Sequence, residues 1–221
     1  MMDPQTRKAN NEEKLRAKGI AVNSNLPFIE RLTEKDMKSF DEICRRAVAA
    51  LLVIQIAFDA SEGDYEESIK VVADVIDSFG VKDSLNAKEQ RVYDGTFSEQ
   101  DIVDVIWEYE SYWALVWALG LIGDDELTQA DGICDCDKAI HLVSDRNDMD
   151  DFKASCSPRT IDEILDMLDL FYRMHWACVE NRLRPETPVN GLVEEVVMER
   201  RRGLEWLVSN ETDWHDISLN T

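Results

Sequence analysis

Charged side chains at helical positions that call for apolar residues are the first candidates for chemistry in this sequence. Glu110 lies three residues after Trp107 on what the spacing predicts to be an apolar helical face. Arg200 lies between Val197 and Leu204 in a second apolar series. Burying an ion without a partner costs several kcal/mol. The pattern therefore predicts that Glu110 and Arg200 are both buried and that each needs a partner of opposite charge.

Two interpretations of these residues stay open at this level. Glu110 and Arg200 either form an internal ion pair that fixes the register of two helices, or they line a ligand-binding cleft. Asp169 and Arg173, one helical turn apart, have the spacing of an ordinary i,i+4 pair. Arginine also recognises carboxylate or phosphate with two parallel hydrogen bonds. The candidate ligand-binding residues are therefore Glu110, Asp169, Arg173 and Arg200, and no catalytic residue is identified.

A second cluster has side chains that can bind metals. Cys134, Cys136 and His141 are close enough in sequence to share an ion, and Cys156 is a distant fourth ligand. Structural zinc sites usually have two separated Cys-x2-Cys halves, which this spacing does not match. We therefore expect no metal and no cofactor, with these residues as weak metal candidates.

The remaining titratable residues of interest are interpreted as structural. Glu108 is assigned to the polar face of its helix, His175 to the protein core and His215 to the surface of an acidic tail. The sequence contains no GxGxxG or Walker-type glycine loop, no HExxH, no GxSxG and no ExxH pair. Specific signatures of nucleotide binding, metalloprotease and hydrolase chemistry are thus absent.

The elements that must position these residues are helices. Ser98 and Asp101 have near capping-box spacing ahead of a tryptophan-rich helix that ends around residues 120–123. Similar periodicity predicts further helices, at 5–18, 39–60, 64–79, 87–93, 138–143, 158–181 and 189–208. No run alternates long enough to predict a sheet.

This pattern predicts an all-α fold, an irregular bundle of about six to eight helices around the tryptophan-rich central helix. Residues 1–35 are expected to form an N-terminal arm helix and an extended connector, and residues 36–221 a single helical domain. Trp214 is expected to fold the C-terminal tail back onto this domain. The sequence specifies no oligomeric state.

Net charge narrows the choice of partners. The chain has 46 acidic and 24 basic residues, a formal charge of −22, which repels nucleic-acid phosphates and anionic lipids. The uncharged run 111–123 is shorter than the ~20 residues that span a bilayer, and no signal peptide is recognisable. We therefore expect a cytoplasmic protein that binds neither nucleic acid nor membrane and whose partner, if any, is a basic protein.

Four segments carry a resemblance to a known family. These are WEYESYWALVWALGLI at 107–122, DLFYRMHWA at 169–177, ERRRGLEWL at 199–207 and WHDISLNT at 214–221, and GIAVNSNLPFI at 19–29 and CRRAVAAL at 44–51 fit the same pattern. Together they resemble the mainly bacterial domain of unknown function 4272 family. The resemblance implies a cytoplasmic, α-helical bacterial protein. It implies no activity, cofactor or catalytic residue.

Two functional hypotheses follow from the sequence. The first is a non-enzymatic protein-binding or regulatory domain, favoured by the acidic surface and the absence of catalytic signatures. The alternative is a hydrolase or small anionic-ligand-binding protein that uses a buried cleft of Glu, Asp and Arg side chains.

Overall fold

The fold was described from a computed structural model, which covers residues 2–221. This part of the chain contains ten α-helices and no strand, which confirms the all-α fold class. The helices are α1 Pro4–Ala17, α2 Phe40–Glu62, α3 Tyr65–Phe79, α4 Ala87–Tyr93, α5 Glu99–Ala118, α6 Asp124–Thr128, α7 Cys136–Ser144, α8 Met149–Ala154, α9 Ile161–Leu183 and α10 Glu194–Leu207. Three short 3-10 turns lie at Glu34–Asp36, Lys82–Ser84 and Trp214–Asp216.

Six of the helices pack in the order α3, α2, α5, α10, α9, α1. Helix α5 is the central one because α2 and α10 cover it from two sides. From Tyr109 to Ala118 every one of its residues is buried. The tryptophan-rich helix is thus the core of the bundle, as its sequence predicts.

Local capping signals set the ends of α5. The Ser98 hydroxyl accepts a hydrogen bond from the backbone N–H of Asp101, while the Asp101 carboxylate accepts one from the Ser98 backbone N–H at 2.9 Å. At the other end Gly120 has a φ of 74° and its Cα faces the Ser157 carbonyl, so a Cβ there would lie 2.0 Å from that oxygen. Only glycine fits this turn.

Helices α5 and α10 cross at a glycine. A Cβ on Gly203 would lie 2.5 Å from the Ser111 carbonyl oxygen and 2.9 Å from the Ala114 Cβ. The missing side chain lets the two backbones approach closely. The same approach brings the Ser111 hydroxyl within 2.9 Å of the Glu199 carbonyl oxygen, to which it donates.

Two predicted helix starts are wrong. The helix predicted from residue 158 begins at Ile161, because Thr160 forms a capping box with Glu163 and is the N-cap. The helix predicted from residue 189 begins at Glu194, because Asn190 and Gly191 have positive φ values of 47° and 81°. Positive φ interrupts a right-handed helix.

Helix α1 and the C-terminal tail pack against the other helices of the bundle. Helix α1 lies against α9 through buried residues that include Leu15 and Asn11. In the C-terminal tail Trp214 is buried and its ring packs edge-on against Trp206 with centroids 6.4 Å apart, which confirms that the tail folds back. Among residues 2–221 there is no helix with the length and apolar character to cross a lipid bilayer.

Candidate functional site

Glu110 and Arg200 are both buried, at 1% and 0% exposure, and they pair with each other. Arg200 Nε donates to Glu110 Oε2 at 2.7 Å. Of the two interpretations left open by the sequence, the structure shows the internal ion pair, which joins α5 to α10.

This ion pair also holds a surface segment in place. Arg200 Nη1 donates to the carbonyl oxygens of Leu127 and Gln129, at 2.7 and 2.6 Å. Glu110 Oε1 accepts a hydrogen bond from the backbone N–H of Cys134 at 2.7 Å. Residues 127–134 are therefore anchored at both ends by one buried pair.

Asp169 and Arg173 form a second buried pair on α9. Arg173 donates to Asp169 with both Nε and Nη2, at 2.9 and 2.7 Å, and both residues are at most 1% exposed. Asn11 of α1 donates to Asp169 at 3.0 Å, and Arg173 also donates to the Pro27 carbonyl. The pair is more than an ordinary surface i,i+4 contact, because it is desolvated and ties α1 and the connector to α9.

The four predicted ligand-binding residues thus form two pairs with different neighbours. Glu110 and Arg200 fix the 127–134 segment, whereas Asp169 and Arg173 fix α1 and the connector. Arg200 borders a cavity of about 380 Å³ next to Cys134.

The weak metal candidates do not form a ligand set. The Cys134 side chain is buried, whereas His141 is exposed and its Nδ1 lies 3.3 Å from Asp145 Oδ1. In residues 2–221 no three His, Cys, Asp or Glu side chains are grouped so as to hold a metal ion.

A cavity of about 620 Å³ lies between α1, α9 and the segment after α5. We call it the acidic groove. Its apolar floor is formed by Leu15, Ile20, Met167, Leu170, Met174 and Leu192, and its rim carries Asp124, Asp125, Asp131 and Asp166 with Lys14 and Lys18. Asp131 also borders the 380 Å³ cavity, so the acidic segment 124–137 separates the two spaces.

A buried polar centre that the sequence did not predict lies on the other side of α5. Arg46 of α2 binds Glu89 of α4, and its guanidinium packs 4.4 Å from the ring centroid of Trp214. The Asn86 side-chain amide donates to Glu108 Oε1 at 2.9 Å, and the Asn86 backbone N–H donates to Glu89 Oε2 at 2.7 Å. Glu89 and Glu108 are both fully buried.

Two buried carboxyl groups facing one guanidinium cannot both be ionised without leaving an uncompensated charge. Burial raises the pKa of Glu89 well above its ordinary value, and it also raises the pKa of Glu108. Both carboxyl groups are thus harder to ionise than in water, and Arg46 contacts Glu89 directly.

His215 connects this centre to a third cavity. Its Nε2 lies 2.7 Å from Glu108 Oε1, and its ring borders a space of about 320 Å³ together with Lys88, Trp107 and Arg202. Burial lowers the pKa of His215, with Lys88 adding to the effect. Both groups at this contact are thus harder to charge than in water.

The structure contradicts the positions assigned to Glu108 and His215 from the sequence. Glu108 is fully buried rather than on a polar face, because α4 and the tail cover that side of α5. His215 is largely buried, not a surface residue, because Trp214 anchors the tail. One signal was available for Glu108: Val105 and Tyr112, three residues before and four after it, are apolar.

The core assignment of His175 is confirmed. It is 4% exposed, and Arg201 Nη1 lies 2.9 Å from its Nδ1. Burial, reinforced by the Arg201 charge, lowers the pKa of His175 to about 4. Because Nδ1 accepts from a permanent cation, this histidine is a structural residue.

The fold and its buried pairs define an all-α domain in which internal ion pairs position the surface segments. The chain belongs to the family described as Domain of unknown function (DUF4272), whose sequence profile matches residues 7–217 of the 221. This confirms the resemblance noted in the sequence. No curated protein and no solved structure matches the chain.

Proposed function

We propose that this protein is a binding domain that recognises a basic, partly apolar segment of a protein partner in the acidic groove. The observation that carries the proposal is the acidic segment 124–137, which has six acidic and no basic residues and borders a cavity with an apolar floor. Such a groove complements a helical segment with leucine side chains on one face and lysine side chains beside them.

The floor and the rim serve different parts of such a partner. Met167 and Met174 have flexible, polarisable side chains that adapt to several apolar shapes. On the rim, Asp125 and Asp131 are exposed, and no hydrogen bond or ion pair engages their carboxylates within residues 2–221. They are therefore available to pair with lysine or arginine of the partner.

The buried ion pair makes this segment a defined surface. Arg200 and Glu110 bind its backbone at three points, and the Ala130 carbonyl oxygen accepts from the Val193 N–H at 2.8 Å. A fixed segment loses less conformational freedom on binding than a mobile loop would. The candidate residues of the sequence thus support recognition indirectly, by holding the groove in shape.

The test uses a synthetic amphipathic helical peptide of lysine and leucine, and a second peptide with glutamate in place of lysine. The full chain is expected to bind the first peptide and not the second. The double variant Asp125→Lys/Asp131→Lys should raise Kd about tenfold or more, the equivalent of about 1.4 kcal/mol. Calorimetry or fluorescence anisotropy near physiological salt measures this.

The matched control is Asp74→Lys/Asp77→Lys, which changes the net charge equally on exposed residues of α3. We expect this variant to bind like the wild type. If both variants weaken binding to the same extent, attraction is diffuse and the groove is not the site. An absence of binding by the wild-type chain also refutes the proposal.

A further inference from the structure

The three histidines of the chain have different surroundings, and within residues 2–221 only one lies beside both a buried carboxyl group and a cavity. His141 is exposed next to Asp145, and His175 is buried with Nδ1 facing Arg201. Nε2 of His215 lies 2.7 Å from Oε1 of the buried Glu108, and its ring borders the 320 Å³ cavity. Its Nδ1 has no hydrogen-bond partner within residues 2–221.

A carboxylate that binds one imidazole nitrogen directs the basic lone pair to the other. Here the carboxylate is Glu108, which is held by Asn86 and has no access to solvent. A proton taken up at Nδ1 would create an imidazolium, and the negative charge of Glu108 would stabilise it. Glu108 is thereby a positioning residue for a base at His215.

The cavity supplies the other requirements of acyl chemistry. Lys88 pairs with Asp104, and its ammonium has further N–H groups that can donate to a carbonyl oxygen. Trp107, Met198 and Val103 form an apolar wall. The volume of about 320 Å³ is at the lower end of small-molecule sites.

We propose that this cavity is a hydrolytic site for small carboxylic esters, in which His215 is the general base and Glu108 positions it. His215 Nδ1 takes a proton from water, so that one O–H bond breaks and an N–H bond forms. The resulting hydroxide adds to the ester carbonyl. The bond to the leaving alcohol then breaks with its electron pair, and the alkoxide takes the proton from Nδ1. The products are a carboxylic acid and an alcohol.

Charged groups from each surrounding element act on this imidazole. They are Lys88 of α4, Asp104 and Glu108 of α5, Glu199 and Arg202 of α10, and Asp213 of the tail. Lys88 and Arg202 disfavour the imidazolium, whereas Glu199 and Asp213 favour it. Since Lys88 and Arg202 are themselves paired with Asp104 and Glu199, Glu108 is the direct partner that decides the tautomer.

The experiment measures hydrolysis of 4-nitrophenyl acetate by the full-length protein. His215→Gln is expected to lower kcat/KM by about a hundredfold, the size of a general-base contribution. Glutamine can still donate to Glu108, so the tail is expected to stay docked. His141→Gln removes an exposed imidazole and should leave the rate unchanged. A wild-type rate in His215→Gln, or an equal loss in His141→Gln, would overturn the assignment.

Glu108→Gln separates positioning from a merely structural role. The amide keeps an acceptor for His215 but removes the negative charge, so the imidazolium loses its stabilisation. The inflection of the pH–rate profile should therefore move to lower pH. A lower rate with an unmoved inflection would show that Glu108 is only structural.

Nitrogen NMR of the wild-type chain tests the assignment without a substitution. We expect His215 as the Nε2–H tautomer at neutral pH. The Nδ1–H tautomer would contradict the proposal, because the lone pair would then face Glu108.

Discussion

At the scale of single residues, the buried ion pairs position the segments around them more than they add to the free energy of unfolding. Arg200 satisfies two backbone carbonyls as well as Glu110, and Glu110 also accepts from the Cys134 N–H. Desolvating two charges offsets much of their attraction, so such a pair adds little net stability. Removing one member is costly, because the other stays buried without a partner.

Arg200→Met is therefore expected to lower the free energy of unfolding by about 3–5 kcal/mol. The double variant Glu110→Leu/Arg200→Met should recover part of this loss, because no charge is then buried alone. Urea denaturation measures both effects. In both variants amide exchange in residues 127–134 should become faster, since Arg200→Met removes the anchors at Leu127 and Gln129 and the double variant also removes the one at Cys134. A double variant less stable than the single one would contradict this explanation.

His175 gives a pH dependence whose sign is fixed by its surroundings. Its pKa is about 4 in the folded protein, against an ordinary value of 6.5, so the unfolded chain binds the proton more tightly. The stability contributed by His175 is full above pH 6.5 and is lost as the pH falls toward 4. The cause is burial, with the nearby Arg201 charge adding to it.

His175→Gln should remove the part of this pH dependence that comes from protonation of the His175 imidazole. The difference in unfolding free energy between wild type and variant should change by at most about 1.4 kcal/mol per pH unit between pH 6.5 and 4. Denaturant titrations across this range measure it. His141→Gln is the control, because His141 is exposed. Parallel curves for wild type and His175→Gln would refute the assignment.

At the scale of elements, the close crossing of α5 and α10 is the feature that brings Glu110 and Arg200 together. Gly203 lies at this crossing, and a methyl group there would overlap with the Ser111 carbonyl and the Ala114 side chain. The overlap is with backbone and a short side chain, which cannot rotate away. The two helices would have to separate.

Gly203→Ala should lower the free energy of unfolding by about 1–3 kcal/mol, as overpacking does, although alanine has the higher helix propensity. Gly132→Ala is a suitable control, since a Cβ there meets no atom within 4 Å and the residue has no positive φ. Thermal or urea unfolding compares the two variants. A stabilised Gly203→Ala protein would show that the crossing has room for a methyl group.

At the scale of the whole molecule, the net charge of −22 and the packing of the helices have separate consequences. A charge of this sign would steer the proposed basic partner toward the protein over a distance set by salt, about 8 Å at physiological ionic strength. The packing of the helices decides where that partner would bind, because it leaves the acidic groove between α1, α9 and the 124–131 segment. Charge alone would attract a basic partner without selecting a site.

The sequence by itself determined eight of the ten helices and the central position of α5. Helical periodicity and capping depend on neighbours three or four residues away, which a sequence displays directly. The burial of Glu110 and Arg200, and their need for partners, followed from the same local pattern. The two short helices α6 and α8 were not predicted, since five or six residues show too little periodicity.

Only the tertiary structure decided which charged residues meet. Arg46, Glu89, Glu108 and His215 come from three helices and the tail, and Glu108 and His215 are 107 positions apart in the chain. A helical wheel assigns one polar face to α5, but α4 and the tail cover that face as well. Burial on several sides depends on long-range packing, which local spacing does not encode. For the same reason, spacing does not show that the four candidate residues form two separate pairs.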